Sequence, residues 1–232
     1  MMRASAKPLA ACALAALVAM GGRPAVAQNQ VYDPLPPPGS AYVRFVNALA
    51  ADLAITPDFL PAQHLGTAGG QRVTSYAVVE RVAGRALALD AVAGGRSGHT
   101  ALQAEAGSFV TVILEQGPAN TIKVVPVVDR TDFNQSRARL SFYNATPDCA
   151  DASLALDPGG PAVFQAVAPG TAKARTVNPV TAQVRAACTG QSAAPFALTG
   201  LEAGGMYSVW LMLADGQPTA FVNRDTTAPW RP

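Results

Sequence analysis

The chain has few of the residues that catalysis most often requires. It contains two histidines among 232 residues, His64, expected in a loop, and His99, expected in a turn. A hydrolase or acyltransferase with a nucleophilic triad needs a histidine base held by a carboxylate, and Ser97 beside His99 offers the best fragment of one. A solvated turn is the simpler interpretation of this Gly-rich segment. No G-x-S-x-G elbow, G-x-G-x-x-G loop or Walker motif is present, so we predict no catalytic residue, no cofactor and no enzyme activity.

Clusters of metal ligands and of like charges are also scarce. Asp148, Asp151 and Asp157 are too loosely spaced for a calcium loop, and we predict no metal site. Of the 17 basic residues three lie in the first 27 residues, which hold none of the 15 acidic ones, so 14 basic residues stand against 15 acidic ones in the rest. A chain so close to neutrality is not predicted to bind nucleic acid, and a polyanionic ligand would need a local basic patch.

Long apolar runs are confined to residues 1–27, which have the pattern of a secretory signal peptide. Arg3 and Lys7 introduce an apolar run from Leu9 to Met20, and Ala25-Val-Ala27 supplies a small-residue cleavage site. The run is shorter than the ~20 residues of a membrane-spanning helix. A lipoprotein box would follow the apolar run, whereas Cys12 stands near its beginning. We therefore predict export to the periplasm and a mature chain without a membrane span.

Cysteine is scarce as well. Removal of the signal peptide takes away Cys12 and leaves Cys149 and Cys188. In an oxidising compartment, two cysteines within one domain are expected to form a disulfide. Two buried free thiols are the alternative.

What the sequence does contain is an internal repeat. The segment 41–48, AYVRFVNA, returns as ARLSFYNA at 138–145, and the segment 105–112, EAGSFVTV, returns as EAGGMYSV at 202–209. Both pairs are 97 residues apart. Two matches in one register indicate a duplicated unit, so we predict two similar domains in tandem.

Alternation within the repeated strand predicts which side chains face the core. Phe45 and Phe142 occupy equivalent positions and are apolar in both copies, as are the residues two positions before them. A period of two places these side chains on one face of a strand, which we assign to the core. The remaining positions differ between the copies and are predicted to point outward: Tyr42 against Arg139, and Arg44 against Ser141.

Short extended segments separated by Gly, Pro and Asp clusters continue through both copies, a pattern typical of β-sandwiches. Asn47 and Asn144 end the repeated strand, where an asparagine side chain can form an Asx turn. We therefore predict an all-β protein with two tandem Ig-like antiparallel β-sandwich domains. The predicted organisation is a signal peptide at 1–27, a Pro-rich N-terminal arm at 28–40, a first domain at 41–134, a second domain at 137–225 and a C-terminal tail at 226–232.

Aromatic residues on outward faces are the candidates for a binding surface. If alternate residues of the segment 206–213 face the core, Trp210 and Met212 point outward and would contact a partner protein, the other domain or a sugar ring. The alternative is that both faces are buried, one of them beneath the neighbouring domain or a loop. Further candidate contact residues lie in the arm and the tail: Tyr32, Trp230 and Arg231.

The arm, the first strand and the tail resemble the AlgF family, the periplasmic accessory proteins of alginate O-acetylation. The segment 31–47, VYDPLPPPGSAYVRFVN, is similar to that family's mature N-terminus, in which an aromatic-x-Pro start leads through Pro-x-Gly-Ser into a V-R-x-x-N strand. The ending 229–232, PWRP, resembles the family's closing Trp-x-basic-Arg-Pro in shortened form. The cysteine pair and the second domain depart from the family, which leaves the polymer open to other exopolysaccharides, cellulose included.

The resemblance implies a non-catalytic periplasmic adaptor in the O-acetylation of an exopolysaccharide, alginate or similar. Its implied partners are a periplasmic acetyltransferase and a membrane O-acyltransferase, and polysaccharide is a further candidate. The alternative is a secreted tandem Ig-like carbohydrate- or surface-binding module with no role in acetylation.

Overall fold

Short strands and tight turns dominate the described part of the chain. The computed structural model describes residues 35–188, 190–214 and 216–229. Within them the helices are short 3-10 segments at Gly69–Arg72 and Pro118–Asn120, and none is long and apolar enough to cross a bilayer. The following predicted features lie outside the described residues: the signal peptide, Tyr32, Trp230 and Arg231.

The N-terminal sandwich consists of two sheets around one hydrophobic core. Its strands are β1 (Ala41–Asn47), β2 (Leu53–Pro57), β3 (Gln63–Leu65), β4 (Ala77–Val79), β5 (Leu87–Ala93), β6 (Arg96–Leu102), β7 (Phe109–Gln116) and β8 (Ile122–Val128). One sheet has the order β4-β1-β7-β8 and the other β3-β2-β5-β6. Side chains from both sheets, such as Phe45 from β1 and Leu89 from β5, are buried together between them.

The C-terminal sandwich repeats this plan. Its strands are β9 (Ala138–Ala145), β10 (Ala152–Leu156), β11 (Ala162–Val167), β12 (Thr171–Val177), β13 (Ala182–Cys188), β14 (Gln191–Ser192), β15 (Phe196–Leu198), β16 (Met206–Ala214) and β17 (Gln217–Arg224). One sheet has the order β12-β9-β16-β17, and the other has the order β11-β10-β13-β14 with β15 also on β13. Phe142 of β9 and Leu154 of β10 lie in the second core. The predicted all-β sandwich fold is confirmed.

The sheets are antiparallel apart from one pair in each sandwich. β1 runs parallel to β7, and β9 runs parallel to β16. Parallel neighbours cannot be joined by a tight hairpin and need a long connection. Between the two parallel strands the chain forms the facing sheet and one edge strand of the same sheet, β4 in the first sandwich and β12 in the second.

The two faces of the repeated strand are both buried, for different reasons. Phe45 and Phe142 are 0% exposed within the two cores, which confirms the predicted core face. Arg44 and Ser141 point away from these cores but are only 0% and 3% exposed. The strand therefore packs on both sides, once within its own sandwich and once on the side away from that core.

Asn47 ends β1 with an Asx turn, as predicted. Its Oδ1 accepts a hydrogen bond from the backbone N–H of Leu49 (2.9 Å), and its Nδ2 donates to the carbonyl oxygens of Ala51 and Gly66 (2.9 Å each). The side chain is completely buried. Since a buried amide is costly unless its hydrogen bonds are made, Asn47 holds two loops in place at the end of the strand.

Asn144 ends β9 in the same way, and a disulfide closes the loop beside it. Its Oδ1 accepts from the N–H of Thr146 (3.1 Å), and its Nδ2 donates to the carbonyl oxygens of Cys149 (2.7 Å) and Val167 (2.9 Å). Cys149 is bonded to Cys188, 39 residues away at the end of β13. The predicted disulfide is confirmed, and it ties this loop to the facing sheet.

His64 and His99 lie in strands β3 and β6 rather than in a loop and a turn. Gly98 suggested the turn, but it has another role. An added Cβ there would lie 2.6 Å from the carbonyl oxygen of Ile122, closer than real Cβ atoms approach. The glycine is therefore explained by the close approach of β6 to the start of β8.

Candidate functional site

The face predicted to contact a partner is buried between the two sandwiches. Trp210 and Met212 of β16 are 0% exposed and pack with Val46 of β1 and Ile113 of β7. The hypothesis that Trp210 and Met212 contact an external partner or a sugar is therefore wrong, because the N-terminal sandwich covers them. The alternative, in which a neighbouring domain covers this face, is the observed arrangement.

A buried arginine joins the two sandwiches through hydrogen bonds. Arg44 of β1 donates through Nη1 to Asp225, which follows β17, at 2.6 Å. It donates through Nε to the Thr111 hydroxyl of β7 (2.8 Å) and through Nη2 to the Tyr143 hydroxyl of β9 (3.0 Å). Ser208 of β16 also donates to Asp225 (2.6 Å). Side chains from both sandwiches thus meet around one guanidinium group.

Aromatic rings surround the same guanidinium group. Its central carbon lies 4.3 Å from the ring centre of Tyr76, 5.4 Å from that of Tyr143 and 5.3 Å from that of Trp210. A planar, delocalised cation is suited to this combination of ring faces and hydrogen-bond acceptors. Burial alone would lower the pKa of Arg44, but the charge of Asp225 and the other acidic groups nearby raise it well above its ordinary value. The arginine is therefore a permanent buried charge.

Asp129, in the segment between the sandwiches, is the second carboxylate near Arg44. It accepts hydrogen bonds from the hydroxyls of Tyr76 (2.7 Å), Thr111 (2.6 Å) and Tyr143 (2.5 Å). Burial raises the pKa of Asp129 above its ordinary value, and the charge of Arg44 and these hydrogen bonds only partly oppose the rise. We call Arg44, Asp129, Asp225 and their hydrogen-bonded hydroxyl groups the Arg44 network. Each nitrogen of the Arg44 guanidinium group has a hydrogen-bond partner within the network, which is the arrangement of a structural contact between the two sandwiches.

A groove lined by several basic residues lies beside this network. It has a volume of about 540 Å³ and lies where the segment after β8 meets β9, β11 and β12. We call it the basic groove, and the side chains that define it are Arg130, Arg139, Ser141, Phe164, Lys173 and Arg175. The carboxylate at its edge, Asp129, already accepts three hydrogen bonds within the Arg44 network. Four basic residues line the groove, but Lys173 and Arg175 pair with core-face residues of β9 and so lie on the opposite face of the sheet from Arg139.

Arg139 is the buried cation of the basic groove. The residue is 7% exposed and lines the groove, and no hydrogen bond or ion pair of its guanidinium group is found among the described residues. Lys173 and Arg175 are exposed at the edge of the sheet and donate to the carbonyl oxygens of Gln165 (2.7 Å) and Val163 (3.1 Å). An ammonium has three donor hydrogens and a guanidinium five, so most donors in the groove remain available for an anion.

The candidate residues Ser97 and His99 lie together on β6 but on the exposed side of the sheet. Nδ1 of His99 is 2.7 Å from a carboxylate oxygen of Asp90, and both of these side chains are more than half exposed. The orienting carboxylate of a triad is thus present. No hydrogen bond of the Ser97 side chain is found in the described part of the chain.

Three comparisons with known proteins found a similar solved structure but no matching family or curated protein. No protein-family model matches the chain, and no curated protein matches it significantly. Among solved structures the chain is similar to a carbohydrate-binding module of family CBM26 from Eubacterium rectale Amy13K, determined in complex with maltoheptaose. The identity is 8%, the match covers 82% of this chain and 98% of that chain, and the TM-score is 0.26.

The sequence did not point to the basic groove, because its cations come from three separated segments. Arg130 precedes β9, Arg139 lies within it, and the remaining two lie on β12. The only signal was at the repeat, where Arg139 replaces the aromatic Tyr42 of the first copy. An arginine at a position that is a tyrosine in the other copy indicates a local change of role.

Proposed function

We propose that this chain is a non-catalytic periplasmic adaptor in the O-acetylation of an exopolysaccharide, alginate or a similar polymer. It links a periplasmic acetyltransferase to a membrane O-acyltransferase. The proposal rests on the resemblance of the arm and first strand to the AlgF family. Arg44 and Asn47 are the arginine and asparagine of the V-R-x-x-N strand in that resemblance, and both are completely buried.

The contacts of these two residues suit an adaptor. Arg44 joins the N-terminal sandwich to Tyr143 and Asp225 of the C-terminal half, and Asn47 fixes two loops. A buried hydrogen-bonded network resists rearrangement, because breaking it would leave charged groups unpaired. Two surfaces that keep a fixed separation can hold two partner proteins at a fixed separation. The motif residues are then explained by architecture rather than by catalysis.

Deletion of the gene tests the adaptor role. The deletion strain should produce the polymer in normal amount but with acetyl esters lost, as measured by NMR on the purified polymer. Expression of the wild-type chain should restore the esters. A His99→Ala chain should restore them equally well, because the proposal gives His99 no part in the reaction. Normal acetyl content in the deletion strain would exclude the adaptor, and an acetylation defect in the His99→Ala strain would favour an enzyme.

A carbohydrate- or surface-binding module with no role in acetylation is the second candidate. The basic groove favours it, because a concave site with unsaturated donors is more typical of ligand binding than of a structural joint. This candidate predicts that the purified protein is retained on a polysaccharide column while the deletion strain keeps normal acetyl content. The two candidates therefore give opposite results in the same strain.

A further inference from the structure

A second groove lies at one end of the contact between the two sandwiches and has a volume of about 720 Å³. The parallel pairs β1–β7 and β9–β16 bring the carboxyl ends of four strands together around it. We call it the Glu115 groove, and its apolar walls are formed by Ala48, Leu49, Ala145 and Pro147. Its volume lies within the range of small-molecule sites, roughly 300–1,000 Å³.

Glu115, near the end of β7, is a buried carboxylate in this groove. Its side chain is 2% exposed, and its Oε1 accepts a hydrogen bond from Nζ of Lys123 (2.7 Å). Its Oε2 is buried without a hydrogen-bond partner, and no other side-chain oxygen or nitrogen of residues 35–188, 190–214 and 216–229 is in that state. Burial of a charge is costly unless the charge is paired and hydrogen-bonded. The position of Glu115 therefore needs an explanation other than stability.

The internal repeat shows that packing does not require a charge at this position. Glu115 lies 97 residues before Met212, which is the spacing of both repeated segments. Met212 is 0% exposed and packs in the contact between the sandwiches. A methionine thus fills the equivalent position without burying a charge. A ligand that donates a hydrogen bond to Oε2 would explain why the first copy has a glutamate instead.

Charges of both signs line the Glu115 groove. The described acidic residues in its lining are Glu115 and Asp148, and the basic ones are Arg96 and Lys123. Lys123 is half exposed, and an ammonium group has three donor hydrogens, so two remain beside the one donated to Glu115. Arg96 donates through Nε to Oδ1 of Asn120 (2.6 Å). A lining with two charges of each sign suits a ligand that itself carries both signs better than a simple cation or anion.

We propose that the Glu115 groove binds a free α-amino acid with an apolar side chain. The ammonium group of the ligand donates to Oε2 of Glu115, and its carboxylate accepts from Nζ of Lys123. One carbon atom separates the two charged groups of an α-amino acid, which matches a carboxylate and an ammonium group in direct contact.

Two further features fit this ligand. The terminal torsion of a glutamate side chain is soft, so the carboxylate can turn Oε2 towards a donor in the groove. The apolar walls at Ala48, Leu49, Ala145 and Pro147 receive the side chain of the ligand. This site does not depend on the proposed acetylation role.

Calorimetric titration of the purified protein tests this site. The probe is L-leucine, and its two counterparts are 3-methylbutylamine, which lacks the carboxylate, and 4-methylpentanoate, which lacks the amine. Leucine should bind, and each counterpart should bind at least about tenfold more weakly, because it makes one of the two charge pairs. Binding of leucine should weaken as salt is raised.

Substitutions at the charged pair locate the site. Glu115→Gln keeps the shape of the side chain but removes its charge, so it should weaken leucine binding at least about tenfold. Lys123→Gln, at a half-exposed position that tolerates replacement, should weaken binding of leucine but not of 3-methylbutylamine. Glu202→Gln is the matched control, because Glu202 is an exposed glutamate paired with Arg224 outside the groove. The control should bind leucine normally.

Glu115→Met introduces the residue of the second copy and separates binding from folding. It should abolish leucine binding while the free energy of unfolding, measured in urea, stays equal or rises. The reason is that the variant removes an incompletely paired buried charge, while Lys123 remains hydrated. A less stable Glu115→Met protein would overturn the argument that packing does not require the glutamate.

Three binding results would also overturn the site: no binding of leucine at millimolar concentration, equally tight binding of either counterpart, or unchanged leucine binding in both Glu115→Gln and Lys123→Gln. Because the assay uses purified protein, such a failure would leave the acetylation experiment unaffected.

Discussion

The N-terminal and C-terminal sandwiches have a similar strand arrangement, but they differ in the residues on the outer face of the repeated strand. Position for position, Arg44 of β1 corresponds to Ser141 of β9, and Tyr42 corresponds to Arg139. Tyr42 packs on Phe109 with ring centres 4.8 Å apart, whereas Arg139 lines the basic groove. The core face and the terminal asparagine are the same in both copies. Packing within a sandwich therefore keeps one face of the strand apolar, while the residues of the other face differ with the groups that they contact.

The largest expected difference between the copies is at Arg44 and Ser141. Arg44→Met removes one partner of a buried ion pair and leaves Asp225 uncompensated, so the free energy of unfolding should fall by about 3–5 kcal/mol. Ser141→Ala removes a hydroxyl with no hydrogen bond among the described residues and should change it by less than about 1 kcal/mol. Urea unfolding followed by tryptophan fluorescence measures both, since Trp210 lies beside the network.

A second variant separates the ion pair from simple loss of packing. Adding Asp225→Asn to Arg44→Met should recover part of the lost stability, because the unpaired carboxylate is removed. If the double variant is less stable than the single one, the loss in Arg44→Met does not come from an unpaired charge. Equal effects of Arg44→Met and Ser141→Ala would mean that the two copies use this position alike.

The disulfide distinguishes the C-terminal sandwich from its partner, which has no cysteine. Replacing both Cys149 and Cys188 by alanine should lower the free energy of unfolding by about 2–4 kcal/mol, since the loop between them is 39 residues long. Reduction of the wild-type protein should have a similar effect in a thermal unfolding scan. Thiol labelling of the native mature protein should find no reactive cysteine, and a labelled cysteine would contradict the bond.

The two buried asparagines provide the smallest and sharpest comparison. Asn47→Ala and Asn144→Ala each leave backbone groups unsatisfied and should cost about 1–3 kcal/mol of unfolding free energy. We expect the smaller loss for Asn144, because the Cys149–Cys188 bond already holds one of the loops that it fixes. Urea unfolding under reducing conditions should then bring the two losses closer together. A larger loss for Asn144 in the oxidised protein would be inconsistent with this explanation.

Short-range features were predictable from the sequence, whereas contacts between distant segments were not. Alternation identified Phe45 and Phe142 as core residues, and the Asx turn at Asn47 followed from its position at the end of a strand. Alternation also placed Trp210 on the face opposite the core, but it could not show what covers that face. The partner of Arg44, Asp225, is 181 residues away, and no local pattern connects them.

The Arg44 network also makes the burial of a charge on the first strand depend on a residue near the end of the chain, Asp225. Arg44 is synthesised early, but the parallel neighbour of its strand, β7, begins only at Phe109, and its carboxylate partner is Asp225. Pairings between such distant segments are late events in folding. The first strand therefore carries an unpaired charge until nearly the whole chain has been synthesised. A chain truncated before residue 225 would leave Arg44 without its carboxylate partner, so the complete network forms only in a chain that includes Asp225.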